Sequence, residues 1–332
     1  MYCLELAGTD DAFAGREAES AATGVEVVAP GVAVARGIEP ERVRTLAYVR
    51  RASDLVGRTD ASVANARALL DAAEIGREGT VAVRARDVRA TTGASTREAE
   101  RELGRVLVDR GFSVDLDDPD HELRALFSDG VCFLGWLDVE SVRDFGGRKP
   151  TDRPFFQPGS MDPLDARALA NIAGARPGAT VLDPMCGTGG VLIEAGLVGA
   201  RVVGSDAQRK MVRGARRNLG EYLDGAAARR TDRAPWDVLR GDATALPLCD
   251  DAVDGVAFDA PYGRQSKIAR HDLRDLVAGA LSEAARVAPR AVVVADRSWR
   301  PEAVDAGWRV EEVFERRVHR SLVRHVHVLE RA

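Results

Sequence analysis

The sequence predicts an α/β protein: a mostly parallel, Rossmann-like sheet in the C-terminal half, preceded by a smaller α+β region. Three observations carry this prediction. Strand and helix signals alternate from residue 179 onward. A glycine-rich turn, "CGTGG", joins the first of those strands to its helix. The tail "WRVEEVFERRVHRSLVRHVHVLER" reads as a β-hairpin that closes the sheet.

The elements follow in order. "ATVLDP" (179–184) reads as the first strand and "GVLIEAGLVG" as its helix, with "RVVGSD" (201–206) as the second strand. "QRKMVRGARRNLG" is a helix ended by Gly220. "WDVLRGD" (236–242), "VDGVAFD" (253–259) and "RAVVVAD" (290–296) give strands three to five, and "HDLRDLVAGALSEAARVA" has the spacing of a helix between the last two. The polar stretch 224–234 reads as a loop. In the N-terminal half, "GTVAVRARDVR" (79–89) alternates like a strand. "STREAERELGRVLVDRG" (95–111) opens with a capping box at Ser95 and Glu98 and closes on Gly111. Extended segments follow, broken at Asp118-Pro119 and Asp129-Gly130. Glycines, prolines and charges mark residues 146–154 as a linker between residues 1–145 and 155–332.

With 332 residues and 45% hydrophobic content, two domains with full cores are expected. No run has the length of a membrane span, and the N-terminus lacks the basic-then-apolar form of a signal peptide. The four cysteines are scattered, with no CxxC pair or Cys/His cluster, so no metal site is expected. His325 and His327 share one face of a strand, read as a solvated face. A cytoplasmic, metal-free protein is the expectation. The net charge of −5 argues against whole-surface attraction to nucleic acid. The halves differ, however: residues 1–150 hold 20 basic and 27 acidic side chains, residues 151–332 hold 27 and 25. A polyanion would be met by local patches. Arg84, Arg86 and Arg89 are candidates, with an ordinary solvated strand face as the alternative.

Ligands of open α/β sheets sit beyond the carboxyl ends of the strands. Four such ends carry an acid: Asp183, Asp206, Asp242 and Asp259. Gly187 and Gly189 would let backbone N–H groups approach a ligand at a helix N-terminus. Position 192, where a dinucleotide fingerprint needs its third glycine, is Leu192. Four carboxylates suit a ligand rich in hydrogen-bond donors better than a pyrophosphate, and S-adenosylmethionine is such a ligand. Asp206 is placed for the ribose hydroxyls and Asp242 for the adenine amino group. Taken singly, Asp183 could cap a helix and Asp242 could make an Asx-turn.

"FDAPYG" (258–263) puts an acid and an aromatic ring on either side of Pro261 at a strand tip. An exocyclic amine on a nucleobase must be oriented before it can attack a methyl group. Asp259 and the Ala260 carbonyl would accept its hydrogen bonds, Tyr262 would stack on the base, and Pro261 would fix the arrangement. A paired base must be flipped out to reach such a slot.

This stretch resembles the D/N-P-P-Y/F/W motif of exocyclic-amino methyltransferases. "VLDPMCGTGGVLIEAG" and "RPFFQPGSMDPLDARALANIA" together resemble the archaeal tRNA guanine-10 N2-methyltransferases. "VAVRARDVR" and "STREAERELGRVLVDRGFSVDLDDPD" are similar to the THUMP domain that precedes the catalytic domain in that family and binds tRNA. The resemblance covers nearly the whole chain, most specifically residues 153–264. It implies a class I methyltransferase domain with a seven-stranded sheet, S-adenosylmethionine as cofactor, tRNA as partner, and one or two transfers to guanine N2. Cofactor residues carry over to Asp183, Gly187, Gly189, Asp206 and Asp242, with Cys186 and Ala243 beside them, and Pro158, Gly159, Ser160 and Met161 near the methionine end. Target-amine residues carry over to Asp259, Ala260, Pro261 and Tyr262. Ala260 departs from the usual first proline; only its carbonyl is required, so activity should survive with a less rigid loop. Rival readings are a methyltransferase for guanine N2 in ribosomal RNA or adenine N6 in DNA, a nicotinamide-dependent oxidoreductase, disfavoured by Leu192, and an inactive RNA-binding protein, disfavoured by Asp259 and Tyr262.

Overall fold

The computed structural model describes residues 1–224, 235–262, 272–319 and 322–332. Contacts divide the chain into two units, Met1–Val142 and Arg143–Ala332.

The first unit holds strands β1 (Tyr2–Leu6), β2 (Ala22–Thr23), β3 (Glu26–Ala29), β4 (Val32–Ala35), β5 (Gly37–Ile38), β6 (Val49–Asp60), β7 (Thr80–Asp87), β8 (Ser113–Val114), β9 (His121–Ser128) and β10 (Val131–Glu140). Its helices are α1 (Asp11–Ala18), α2 (Pro40–Val43), α3 (Val63–Ala72) and α4 (Thr96–Asp109). Eight strands form one sheet in the order β3-β4-β1-β6-β10-β9-β7-β8, and β2 pairs with β5. Helix α4 starts as its sequence indicates: the Ser95 hydroxyl accepts the Glu98 N–H at 3.3 Å. Ala99, Leu103, Val106 and Leu107 then line its buried face. Asp129 and Gly130, at φ 46° and 83°, make the two-residue turn between β9 and β10.

No strand is read from the sequence in residues 1–78, yet β1 and β6 lie in the middle of this sheet. Two register shifts that leave an extra residue on β6, Val56 against β10 and Arg50 against β1, explain why β6 does not read as a strand. Each shift slips the inside–outside alternation that a period-two pattern needs.

The second unit begins with two short 3-10 turns, Phe145–Arg148 and Pro150–Asp152. The segment read as a linker is therefore built into this unit, with the Arg148 and Arg153 side chains buried. Helices α5 (Pro163–Ile172), α6 (Gly190–Val198), α7 (Arg209–Leu219), α8 (Leu273–Val287) and α9 (Arg300–Asp305) surround strands β11 (Thr180–Asp183), β12 (Arg201–Asp206), β13 (Trp236–Arg240), β14 (Gly255–Asp259), β15 (Arg290–Ala295), β16 (Trp308–His319) and β17 (Leu322–Arg331). The order is β13-β12-β11-β14-β15-β17-β16, with the first five strands parallel, β17 antiparallel to them, and β16 turned back antiparallel to β17. This is the Rossmann-like methyltransferase sheet that the sequence predicts. The strand order reverses between β11 and β14, so the switch point where ligands bind lies between their tips.

Helix α6 is apolar apart from Glu194 and buried apart from Gly190 and Leu197, as expected for a helix pressed against a sheet. Helix α7 keeps Val212, Ala215 and Leu219 inside and its arginines outside. Gly220 does not end it as a left-handed cap; the residue stays helical and one π-type turn, Gly220–Asp224, follows. Residues 225–234, within the stretch read as a loop, lie outside the described residues, as does Gly263. Helix α9 was not foreseen.

The face shared by His325 and His327 is not solvated. β17 is an interior strand between β15 and β16, so His327 is buried. Its Nε2 accepts the Trp299 N–H at 3.0 Å, and its Nδ1 lies 3.1 Å from the Val293 carbonyl. Among the described residues no helix is long and apolar enough to cross a membrane, and no group of three or more His, Cys, Asp or Glu side chains could hold a metal ion.

Candidate active site

The four acids stand along one edge of the sheet in strand order. Asp206, Asp183 and Asp259 are the last residues of β12, β11 and β14, and Asp242 lies just past β13. Neighbouring parallel strands set them side by side at the switch point.

The loop after β11 is tied to β12 at two points. The Cys186 N–H donates to the Ser205 carbonyl at 2.9 Å, and the Gly187 N–H donates to Asp206 Oδ2 at 3.1 Å. Asp206 Oδ1 also accepts the Gln208 N–H at 2.8 Å, so this carboxylate orders the start of α7 as well. Gly187 and Gly189 sit at φ 52° and 80°, a backbone that L side chains rarely adopt. Leu192, where a dinucleotide fingerprint has glycine, packs against Gly204 of β12; a Cβ at Gly204 would come within 2.5 Å of it. The close approach of helix and sheet is obtained by moving the glycine to the strand.

Asp183 is 3% exposed, and its Oδ1 accepts the Met185 N–H at 3.0 Å. Burial drives its carboxyl well above the usual range; the Met185 N–H opposes this, and the Asp206 and Asp259 charges add to it. Burial raises Asp206 too, against its two backbone donors. Asp242 Oδ1 accepts the Thr244 N–H at 3.0 Å and the Thr244 hydroxyl at 2.8 Å, an Asx-turn. The Asx-turn weighed for Asp242 is present, whereas Asp183 caps no helix: the N-cap of α6 is Gly189, and Asp183 instead turns the chain through Met185.

The 158–161 segment reaches the same loop. The Ser160 hydroxyl donates to the Gln157 carbonyl at 2.7 Å and lies 3.1 Å from the Thr188 hydroxyl. Asn218 of α7, fully buried, fastens both strands of chain. Its Oδ1 accepts the Phe155 N–H, while its Nδ2 donates to the Phe155 and Thr188 carbonyls at 2.8 and 2.9 Å. Phe155 itself lies over Gly214, where a Cβ would come within 2.0 Å of the ring. Met161, Cys186 and Ala243 are buried beside these groups.

At the tip of β14, the Tyr262 hydroxyl donates a short hydrogen bond to Asp259 Oδ1. Arg324 of β17 donates from Nε to that hydroxyl at 3.0 Å, and its Nη2 lies 3.6 Å from Asp259 Oδ2. Burial pushes the Asp259 carboxyl up to about 6, against the pull of Arg324 and Tyr262. Burial also raises the Tyr262 phenol. Ala260 is buried and donates its N–H to the Val294 carbonyl at 2.8 Å, continuing the ladder to β15.

Residues 150–326 match UPF0020, the RMKL-like methyltransferase domain. A tRNA (guanine(10)-N2)-dimethyltransferase of Methanothermobacter thermautotrophicus is 36% identical over 87% of this chain and 84% of its own length. One from Pyrococcus abyssi is 31% identical over 76% and 74%. This chain belongs to the archaeal tRNA (guanine(10)-N2)-dimethyltransferase family. The crystal structure of TrmN from Thermus thermophilus aligns over 100% of this chain and 99% of its own, at 24% identity and a TM-score of 0.49.

In this member of the dimethyltransferase family, the acids, the GTG loop, the 158–161 segment and the Asp259–Tyr262 loop all belong to the second unit. Arg84, Arg86 and Arg89 belong to the first. Each meets an acceptor there: Arg84 the Leu116 carbonyl at 2.5 Å, Arg86 the Glu5 carboxylate at 3.5 Å, and Arg89 both oxygens of Asp11. Arg84 and Arg86 share a face of β7, whereas Arg89 sits in the turn after it at φ 55°. Sequence reasoning missed Asn218, Thr188 and Arg324. A buried asparagine inside an amphipathic helix was a signal for the first; nothing local marks Arg324 among the arginines of the tail.

Proposed function

We propose that the protein transfers methyl groups from S-adenosylmethionine to the exocyclic N2 amine of guanine 10 in tRNA. The observation that carries this reading is the row Asp242–Asp206–Asp183–Asp259 on adjacent strand tips, ending in the Asp-Ala-Pro-Tyr loop. Kinship with enzymes that dimethylate guanine 10 at N2 supports the choice of target and two transfers to it.

An edge lined by carboxylates fits a cofactor whose ammonium, ribose hydroxyls and adenine amino group are all donors. Asp206 would take the ribose hydroxyls and Asp242 the adenine amine. Asp183, with Gly187, Gly189, Cys186 and Ala243, would shape the floor, and residues Pro158, Gly159, Ser160 and Met161 would border the methionine end. When bound, the cofactor supplies an electrophilic methyl group on a sulfonium.

The chain's own part is to present the amine. Asp259 Oδ1 is engaged by Tyr262, while Oδ2 keeps lone pairs for an N–H of the guanine amine. The Ala260 carbonyl would take the second N–H. Held this way, the nitrogen lone pair is turned out of the base plane toward the methyl. A carboxyl with its pKa near 6 is charged at pH 7, yet basic enough to accept the proton that the amine sheds. The Tyr262 ring would cover one face of the flipped base. The first unit, as a THUMP-like module, would hold the tRNA.

The test is transfer of labelled methyl to unmodified tRNA, with nucleoside analysis and mapping of the modified position. Dimethylguanosine at position 10 is expected. Label on another nucleoside or at another position overturns the reading.

A further inference from the structure

We propose that Arg324 is a positioning residue for methyl transfer: its guanidinium, fixed inside the hairpin, holds the Asp259 carboxylate and the Tyr262 hydroxyl in the arrangement that the target amine meets. The inference rests on the amine-clamp reading above and adds a residue to it.

Three observations carry it. The first is place. Arg324 lies on β17, which is hydrogen-bonded to β15, itself the neighbour of β14. Its side chain is only 7% exposed, and a guanidinium is not buried that deeply unless it is paired. The second is reach. One fork contacts both ends of the loop, the phenol at 3.0 Å and the carboxylate at 3.6 Å. The phenol in turn donates to the carboxylate, so the three groups close a ring. A flexible lysine would offer a point charge to one of them; the planar fork can address two.

The third observation is the surrounding charge. Asp165 of α5 adds negative potential at Asp259 and is itself paired with Arg316 of β16 at 2.8 Å. Asp183 of β11 stands on the other side, its own ionisation opposed by the Asp259 charge. Tyr262 contributes only a neutral donor. Arg324 is thus the cation in direct contact with Asp259 among the described residues. Burial and Asp165 both favour the protonated acid, and a protonated Asp259 offers the amine a weaker acceptor. Arg324 opposes both.

The experiment is the pH dependence of kcat/KM for tRNA methylation by the parent, Arg324→Gln and Arg324→Lys, with cofactor affinity measured by calorimetry. For Arg324→Gln the acid limb should move up by about 1–3 pH units, as expected when a close opposite charge is removed. Activity lost at pH 7 should partly return at pH 9, and cofactor affinity should stay at the parental value. Arg324→Lys should keep the limb near its parental position while losing a few-fold to about tenfold in kcat/KM, since the second contact is gone. A folded Arg324→Gln protein with the parental limb overturns the proposal, as does an equal displacement in both variants. If the Gln variant does not fold, Arg324→Lys decides alone: parental kcat/KM at every pH overturns the proposal. Asp259→Ala separates this from the clamp reading. Parental activity there sinks the clamp itself, whereas loss there with a parental Arg324→Gln sinks only the role of Arg324.

Discussion

Arg148 and Glu194 lie 46 residues apart in the chain and 2.8 Å apart in space. Glu194 is fully buried in the apolar helix α6, a position that an unpaired carboxylate cannot hold. Arg148 meets it from one side and Arg167 of α5, at 2.7 Å, from the other. Asp144 binds Arg148 in turn at 2.9 Å. The start of the second unit is thereby fastened to helix α6.

The boundary of the second unit can be tested directly. A fragment of residues 143–332 should unfold cooperatively in urea. A fragment of residues 153–332 lacks Arg148 and should be less stable by about 3–5 kcal/mol, the usual cost of breaking a buried pair. Glu194→Ala in the full chain should cost a similar amount. Equal urea midpoints for the two fragments would show that the ion pair is dispensable. The longer fragment should bind S-adenosylmethionine yet methylate tRNA poorly, because the first unit is absent; full tRNA activity would give that unit another role.

Asp259 should act in the chemical step. Asp259→Ala removes the acceptor for the amine and should slow single-turnover transfer by about 10²–10³-fold, with cofactor affinity unchanged. Tyr262→Ala should cost about 1–3 kcal/mol of stacking, seen mainly in capture of the target base. A parental transfer rate in the Asp259→Ala protein would reduce the loop to a turn.

The pH profile follows from the same carboxyl. Asp259 titrates near 6, and the charged form is the acceptor. As pH rises through about 6, deprotonation should raise kcat/KM to a plateau at neutral pH. Linkage gives the opposite sign for stability. A folded pKa above the unfolded one means that the native state holds more protons between about 4 and about 6. This group's stabilising contribution is therefore full below about 4 and is lost as pH rises through about 6. An activity profile flat from pH 5 to 8 would remove Asp259 from the free enzyme's essential groups.

Ala260→Pro separates what the sequence suggests from what the fold permits. The change restores the commoner motif and keeps the carbonyl, so by sequence it should be tolerated. In the structure the Ala260 N–H donates to the Val294 carbonyl at 2.8 Å. Proline removes that donor, and we expect a loss of about 0.5–1.5 kcal/mol in stability. Transfer should continue. Unchanged urea midpoints would mean that the β14–β15 ladder adjusts without cost.

Asp206→Ala should weaken S-adenosylmethionine binding by about 1.5–3 kcal/mol, the worth of charge-assisted hydrogen bonds. The Gly187 and Gln208 amides also lose their acceptor, so their hydrogen exchange should quicken. Parental affinity in calorimetry would take Asp206 out of the cofactor site.

What the sequence determined by itself is the part of the molecule governed by local pattern. Strands β11 to β15, the glycine turn, helices α6 and α8 and the closing hairpin follow from apolar runs, alternation and capping, each set by neighbours a few residues away. Acids at the ends of those runs had to fall at one edge once the strands were parallel, so Asp183, Asp206, Asp242 and Asp259 were legible before any coordinates. Tertiary structure alone decided the rest. β1 and β6 lie at the centre of the first sheet although bulges spoil the alternation of β6, because pairing on both sides compensates for a broken pattern. Residues 143–152 belong to the second unit, because a buried glutamate on a distant helix needs their one buried arginine, Arg148. Arg324 meets Asp259 and Tyr262 only because two strands that are far apart in sequence flank the same β15. Charge pairing and strand order act across the fold, and no window of sequence contains both partners.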